Sequence, residues 1–430
     1  MKLTEGKRMH ELMTRLFPLC RSITGNGVRE TLRILQESIP LVMHEVPSGT
    51  PVFDWVMPKE WNIRSAWIQD SKGNTIVDFS NNNLHVVGYS LPVDARLPLA
   101  ELQEHLHSIP EQPDAIPYVT SYYKEQWGFC MTHRVLQSLA DDTYHVFIDS
   151  TLMPGSLTYG ELILPGKSEK EVFLSTYLCH PSMANNELSG PVVTAALANW
   201  LMSASHRYTY RIIFIPETIG SLAYLSKNLD VMKKNIIAGF NITCVGDDRA
   251  YSYLPSRDGN TRADTVAQRV LQARHPDFVR YSFLDRGSDE RHYCSPGVDL
   301  PVVSIMRSKY GTYPEYHTSL DNLQLVTPSG LQGGFDVLKE CIEWIEHNRT
   351  YRATCLGEPQ LVRHGLYPTT MDHRGNVSVD MQRLKNLQNV LVHADGDHDV
   401  PTMAEMLDVP EADIRRTVAA LLEAGFLVEY

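Results

Sequence analysis

EVFLSTYLCHPSMANNELSGPVVTAALANWLMSA, residues 171–204, decides the fold. Residues 171–178 form a β-prone apolar run, and residues 190–204 form an apolar helical run that opens on Gly190 and Pro191. A strand that is apolar on both faces is buried on both faces, as in a parallel sheet covered by helices. The alternation continues with strand YRIIFI (210–215), helix SLAYLSKN (221–228), strand IIAGFNITCV (236–245), helix TRADTVAQRVLQAR (261–274), strand LPVVSI (300–305) and a long helix over 328–347. This order predicts a layered α/β domain with a parallel sheet.

On the N-terminal side, Met9, Leu12, Met13, Leu16 and Phe17 have the spacing of one amphipathic helix, and Val28, Leu32, Leu35 and Ile39 that of a second. Between them RSITGNG (21–27) reads as a turn, either a plain helix connection or a loop whose Arg21, Ser22 and Thr24 face a substrate. Residues 51–150 change texture to short alternating strands such as NIRSAWIQD and YHVFIDS, punctuated by Pro, Gly and Asn, and predict an inserted β-rich domain. That insert holds the Pro-rich, Tyr-rich segment LHSIPEQPDAIPYVTSYY (106–123), whose aromatics line a cleft or fill a core. Residues 381–430 predict three helices and a terminal strand, the pattern of a winged helix. The domain reading is therefore 1–50 as N-terminal helices of the α/β domain, 51–150 as insert, 151–380 as α/β body and 381–430 as winged helix.

The 430 residues include 39 Lys and Arg against 51 Asp and Glu, a net charge of −12. Such a balance argues against a phosphate-binding surface, and hence against nucleic acid as a partner. A winged helix would otherwise suggest DNA, yet 381–430 holds four basic residues against nine acidic ones and reads as a packing, protein-partner or homo-oligomer module. No apolar run of about 18 residues exists, so no membrane span is expected. The charged start MKLTEGKRMHELMTRLF lacks the apolar region of a secretory signal, which points to the cytoplasm. Seven cysteines, scattered and without a C-x-x-C pair, predict neither disulfides nor a thiolate zinc site, and Cys179 reads as a buried thiol.

In an open α/β sheet the chemistry collects where loops leave the carboxyl ends of the strands. His180 and Glu187 follow the first strand, Glu217 the second, Asp247 and Asp248 the third, and His317, in YPEYHTSLDN, the last. Neutral imidazoles and carboxylates gathered at one edge suit a metal site.

The order His, A-N-x-x-x-S-G, Glu-x-x-G, Y-H-T-x-x-D resembles the zinc-dependent aminopeptidase family, with a three-layer α/β/α sheet. More narrowly, HPSMANNELSG, FIPETIGS, YHTSLDN, RSITGNG and the winged helix are similar, over essentially the whole chain, to bacterial aminopeptidase-like proteins with an inserted β domain, often associated with polysaccharide-biosynthesis genes. The resemblance implies that His180 and His317 are metal ligands and Glu217 the general base. It also puts Asn186 where the family has a metal-bridging aspartate, Thr218 where a glutamate ligand follows the base, and Thr243 where another aspartate belongs. Three of five ligand positions thus lack carboxylates. Two divalent ions about 3.5 Å apart repel by something like 20 kcal/mol at an effective dielectric near 20, and without a bridging anion that repulsion is hard to offset.

One zinc ion is therefore the expectation, held by His180 and His317 with an oxygen from Asn186, Glu187, Asp247 or Asp248. Asp289, in GSDERHY, together with Tyr316 and Arg21, is expected to support the ligands or touch substrate; Tyr313 is a further candidate donor. The expected function is a metal-dependent aminopeptidase-like hydrolase acting on an amide of a small peptide or aminoacylated metabolite. The alternatives are a non-catalytic binding or regulatory protein on the same scaffold, and an enzyme redirected to amide formation or acyl transfer.

Overall fold

A computed structural model describes residues 4–366 and 379–430. They fall into two compact units, Met1–Lys339 and Glu340–Tyr430.

The first unit is built on an eight-stranded sheet. Its spatial order is Val42–Pro47, Ser156–Leu164, Tyr208–Ile215, Ser168–Tyr177, Ile236–Asn241, Val302–Met306, Ser252–Leu254 and Val279–Arg280. The central four strands run parallel, with Val172 opposite Tyr210 on one side and Ala238 on the other. They are the apolar runs of the sequence, and the helices that separate them cover the sheet. Because Ser168–Tyr177 has the next two strands in the chain on its two sides, connections leave its carboxyl end in both directions, and a crevice opens there.

Helix Ser189–Met202 is buried around most of its circumference, as its lack of a polar face requires. Gly190 lets it approach the sheet: a Cβ there would lie 2.3 Å from the Ile242 carbonyl oxygen and 2.4 Å from Thr176 Oγ1. The helix Ile219–Asn235 runs longer than the eight residues predicted, since its second half is polar and escapes a search for apolar spacing. Strand Ile236–Asn241 is shorter than predicted: past Asn241 the chain, although apolar, leaves the sheet as a loop.

Between Val42–Pro47 and Ser156–Leu164, both strands of the large sheet, the chain makes the inserted β-rich subdomain. Its antiparallel sheet runs Thr75–Asp78, Glu60–Gln69, Thr143–Met153, Val93–Pro98. Along Thr143–Met153 the inward residues are Tyr144, Val146, Ile148 and Ser150, the period of two read from the sequence. One insert segment returns to the body: Tyr118 N–H donates to the His317 carbonyl at 2.9 Å, and Ser319 N–H to that of Ile116 at 2.9 Å.

In the second unit, helices Val379–Val392, Val400–Leu407 and Glu411–Glu423 pack around Leu387, Val390, Met403, Ile414 and Leu421. Their sheet has the order Asp395–Asp399, Thr350–Ala353, Leu427–Glu429. The unit therefore begins about 40 residues before the expected 381, because the four-residue strand Thr350–Ala353 is the middle strand. So short a strand, paired with the all-polar run DGDHD, leaves no periodic signal. Part of the expected junction, 367–378, lies outside the described residues. Among the described residues no helix is long and apolar enough to cross a membrane.

Candidate active site

The four loops that leave the central strands each hold one non-glycine residue with a left-handed backbone: Ser182 (φ 42°), Thr218 (φ 63°), Cys244 (φ 53°) and His317 (φ 57°). Each costs of order 1 kcal/mol, and such residues concentrate where a site dictates the backbone. Here they turn the chain sharply at one edge of the sheet, where His180 lies beside both Glu217 and His317.

His180 is buried and held from behind. Its Nδ1 lies 2.8 Å from Glu187 Oε2, and the other Glu187 oxygen lies 3.5 Å from Arg21 Nε; the side chains of Arg21 and Glu187 are 0% exposed. Arg21 also donates to the carbonyls of Leu16 (2.7 Å) and His180 (3.2 Å). Burial opposes a charge on His180, yet the Cys179 sulfur at 3.4 Å and Glu187 raise its pKa well above the usual imidazole range. Since burial pushes the Cys179 thiol up to about 11, the Glu187 carboxylate is the anion that matters near neutral pH. His180 Nε2 points the other way and lies 3.7 Å from Glu217 Oε2.

His317 approaches from the last loop, its ring centroid 5.5 Å from that of His180. Tyr316 stacks on it at 3.9 Å, and Tyr118 of the insert lies 5.1 Å from both imidazoles. Burial, reinforced by His180, lowers the His317 pKa to about 3, so its ring is neutral. Its Nε2 is buried and meets no hydrogen-bond partner among the described residues. Glu217 lies at the second strand end with its carboxyl pKa raised by burial, against the pull of His180. Asp289 accepts from Thr218 N–H (2.8 Å) and Ser221 Oγ (2.9 Å) and so holds the loop that carries Glu217, the supporting place expected for it. Burial and Glu217 push its pKa up to about 8.

Four expected oxygen ligands have other partners in this geometry. Glu187 stands behind His180, bonded to Nδ1 and paired with Arg21, rather than on the open Nε2 side. Arg21, fully buried, takes the supporting one of the two places expected for it, behind His180 through Glu187. Asp247 accepts four bonds, from Asn185 Nδ2, Ser308 N–H, Ser308 Oγ and Arg249 N–H at 2.9–3.0 Å, so both its oxygens are committed to loop structure. Neighbouring Asp248 bonds Thr327 and Ser329 at the start of the long helix. The Asn186 amide oxygen is met by Tyr177 Oη at 2.9 Å, and that hydroxyl also lies 2.6 Å from Thr243 Oγ1. A knot of neutral groups therefore fills the space where the resemblance calls for two carboxylates.

Among the described residues only Cys179, His180 and Glu187 bring three donor atoms within 4.8 Å of one another. With Arg21 against Glu187, that group is an ion-paired support. What fits a single cation is the pair of imidazoles: His180 is oriented through Nδ1 with Nε2 left open, and the buried His317 Nε2 lacks a partner. Nothing in the Tyr177, Asn186 and Thr243 knot supplies charge for a second.

Three contributors carry little or no signal in the sequence. Asp321, the last residue of Y-H-T-x-x-D, accepts from the N–H groups of Asn185 (2.6 Å) and Asn186 (2.9 Å) and from Tyr313 Oη (3.0 Å), and so ties the last loop to the first. The motif contained it, though its role was not legible. Tyr118 had only the aromatic texture of 106–123 to mark it. Arg291, near Thr218, had no signal.

A family model described as a domain of unknown function (DUF4910) matches residues 10–348, and one described as a winged helix-turn-helix matches residues 349–429. A Clostridium acetobutylicum protein named for polysaccharide biosynthesis, with an aminopeptidase-like domain, is 48% identical over 365 residues, which are 84% of this chain and 83% of its own. A crystal structure of a C. acetobutylicum protein provisionally named a peptidase is 42% identical, with a TM-score of 0.82, covering 99% of this chain and 96% of that one. A zinc aminopeptidase from Bacillus subtilis matches at 13% identity and a TM-score of 0.55, covering 80% and 95%. At that identity the likeness is one of fold: the large α/β domain is aminopeptidase-like.

Proposed function

The chain belongs to the family described as a domain of unknown function (DUF4910), and on that premise we propose that it is a metal-dependent hydrolase of an amide bond in a small peptide or aminoacylated metabolite. The observation that carries this reading is the neighbouring pair of imidazoles, His180 beside Glu217 and His317 with its Nε2 buried and without a hydrogen-bond partner among the described residues. His180 and His317 would hold one zinc ion. When bound, that ion supplies a Lewis acid able to bring the pKa of a water towards about 7.

The chain's own groups do the rest. Glu187 accepts a hydrogen bond from His180 Nδ1–H and so keeps Nε2 directed into the site, while Arg21 balances the Glu187 charge. Tyr316 and Tyr118 fix the His317 ring and limit water around it. Glu217, its pKa raised by burial, accepts a proton from the attacking water and returns it to the leaving nitrogen. Asp289 keeps the Glu217 loop in place through Thr218 and Ser221.

Elemental analysis of the purified protein beside its His180→Ala variant tests the metal: about one zinc per wild-type chain and none in the variant is expected. Turnover of a panel of aminoacyl amides, abolished by Glu217→Gln with zinc retained, tests the base. Activity that persists after Glu217→Gln and chelation refutes this reading. The neutral knot of Tyr177, Asn186 and Thr243 favours a second reading, a non-catalytic binding protein on the same scaffold; absence of stoichiometric metal and of turnover supports that one.

A further inference from the structure

The opening beside Glu217 and His180 is a cavity of about 250 Å³ whose wall also includes Trp55, Tyr123 and Arg291. Arg291 is unusual among the arginines of this site. Arg21 is paired with a carboxylate, whereas Arg291, although its charge is felt by Glu217 and Asp289, is hydrogen-bonded to two neutral acceptors: its Nε donates to His292 Nε2 at 3.2 Å, and its Nη2 to Thr218 Oγ1 at 2.5 Å. Burial, with Arg291 itself, lowers the His292 pKa to about 4, so that ring accepts as a neutral base. Two of the five guanidinium N–H donors are thereby used to fix the side chain, and Nη1 is left for a ligand.

Thr218 is the position at which the aminopeptidase resemblance expects a glutamate. A hydroxyl under a guanidinium puts a cation beside the place where that anion would stand. A substrate with a free ammonium at this place would meet like charge; one with a carboxylate would meet its counter-ion. Arg291 is bonded to the residue that follows Glu217 and lines the same cavity, so a carboxylate seated on it shares that cavity with the general base, as the α-carboxylate of an N-acyl amino acid would. Trp55 and Tyr123, from the insert, add a partly exposed aromatic wall with ring centroids 5.6 Å apart, suited to the apolar part of the same ligand.

We propose that Arg291 is the specificity-determining residue of this site and receives a carboxylate, so that the ligands it takes are N-acyl amino acids or the carboxyl-terminal end of a short peptide rather than a free amino terminus. The inference rests on the hydrolase reading for the position of the scissile bond, and binding alone tests it. Calorimetric titration of the full chain compares N-acetyl-L-alanine with N-acetyl-L-alaninamide and L-alaninamide, in the wild type and in Glu217→Gln. The carboxylate should bind on the order of 10- to 100-fold more tightly than either other probe, the range of a charge-assisted hydrogen bond. Arg291→Gln should abolish that preference and Arg291→Lys retain part of it, with unchanged melting temperatures showing that both variants fold. A merely structural arginine would weaken all three probes alike and leave their ratio intact. Equal affinities, tighter binding of L-alaninamide, no binding of N-acetyl-L-alanine, or an unaltered preference in Arg291→Gln overturns the proposal. Selective carboxylate binding without turnover of any amide would defeat the hydrolase reading and uphold this one.

Discussion

Replacing Glu187 by Gln isolates the buried support behind His180. The change removes the only ion-pair partner that Arg21 is seen to have, at 3.5 Å, in a place where neither side chain reaches solvent. Gln can still accept from His180 Nδ1, so the loss is that of the charge. The Coulomb attraction at that distance is about 5 kcal/mol at an effective dielectric near 20, and breaking a buried pair by removing one member costs about 3–5 kcal/mol. Arg21→Met should cost a similar amount, because the carbonyls of Leu16 and His180 lose their donors as well. The double variant has no unpaired charge. Its cost should therefore fall short of the sum by about 2–3 kcal/mol, the coupling energy of the pair.

Urea unfolding followed by far-UV circular dichroism measures this. With a slope of about 3 kcal/mol per molar, each single variant should move the midpoint of the larger unit down by roughly 1 to 1.7 M. Additive single effects, or a Glu187→Gln shift below about 0.3 M, would refute the assignment of this pair as the anchor of His180.

Other perturbations probe the frame of the site. Asp321→Asn keeps an acceptor oxygen for only one of the Asn185 and Asn186 N–H groups, which bond different carboxylate oxygens, and should destabilise by about 2 kcal/mol in the same unfolding assay. Gly190→Ala drives a methyl into the Ile242 carbonyl and should cost about 2 kcal/mol or more, read as a lowered melting temperature; a neutral result would mean that the helix need not touch the strand so closely. The Arg29 hydrogen bonds lower the Glu60 carboxyl to about 2, below its unfolded value near 4.3. Its contribution, about 1 kcal/mol after screening, is complete above pH 4.3 and is lost as pH falls through about 2. Unfolding midpoints of wild type and Glu60→Gln should thus converge over that window and stay parallel above it.

The strands that make the parallel sheet were legible because burial on both faces forces continuous apolar runs, and the strand ends were legible because turn residues follow them. Once a parallel sheet is granted, His180, Glu217 and His317 must come near one another, since parallel strands put all their carboxyl ends on one edge. The three missing carboxylates at 186, 218 and 243 could also be read directly, by comparison with the resembled pattern. Thr350–Ala353 could not, for a four-residue strand derives its stability from its neighbours and from no pattern of its own.

The partnerships of polar groups were decided only on folding. Asp247 and Glu187 have the same chemistry and both follow a strand, yet one is saturated by Ser308, Asn185 and Arg249 while the other stands between His180 and Arg21. Tyr118 arrives from an insert and Arg291 from beyond the third strand. Hydrophobic periodicity records which faces leave water, because that preference is local and additive along the chain. Hydrogen bonds and ion pairs are directional and couple residues far apart, so which carboxylate braces a histidine, and which arginine is left to meet a ligand, is settled by tertiary closure alone.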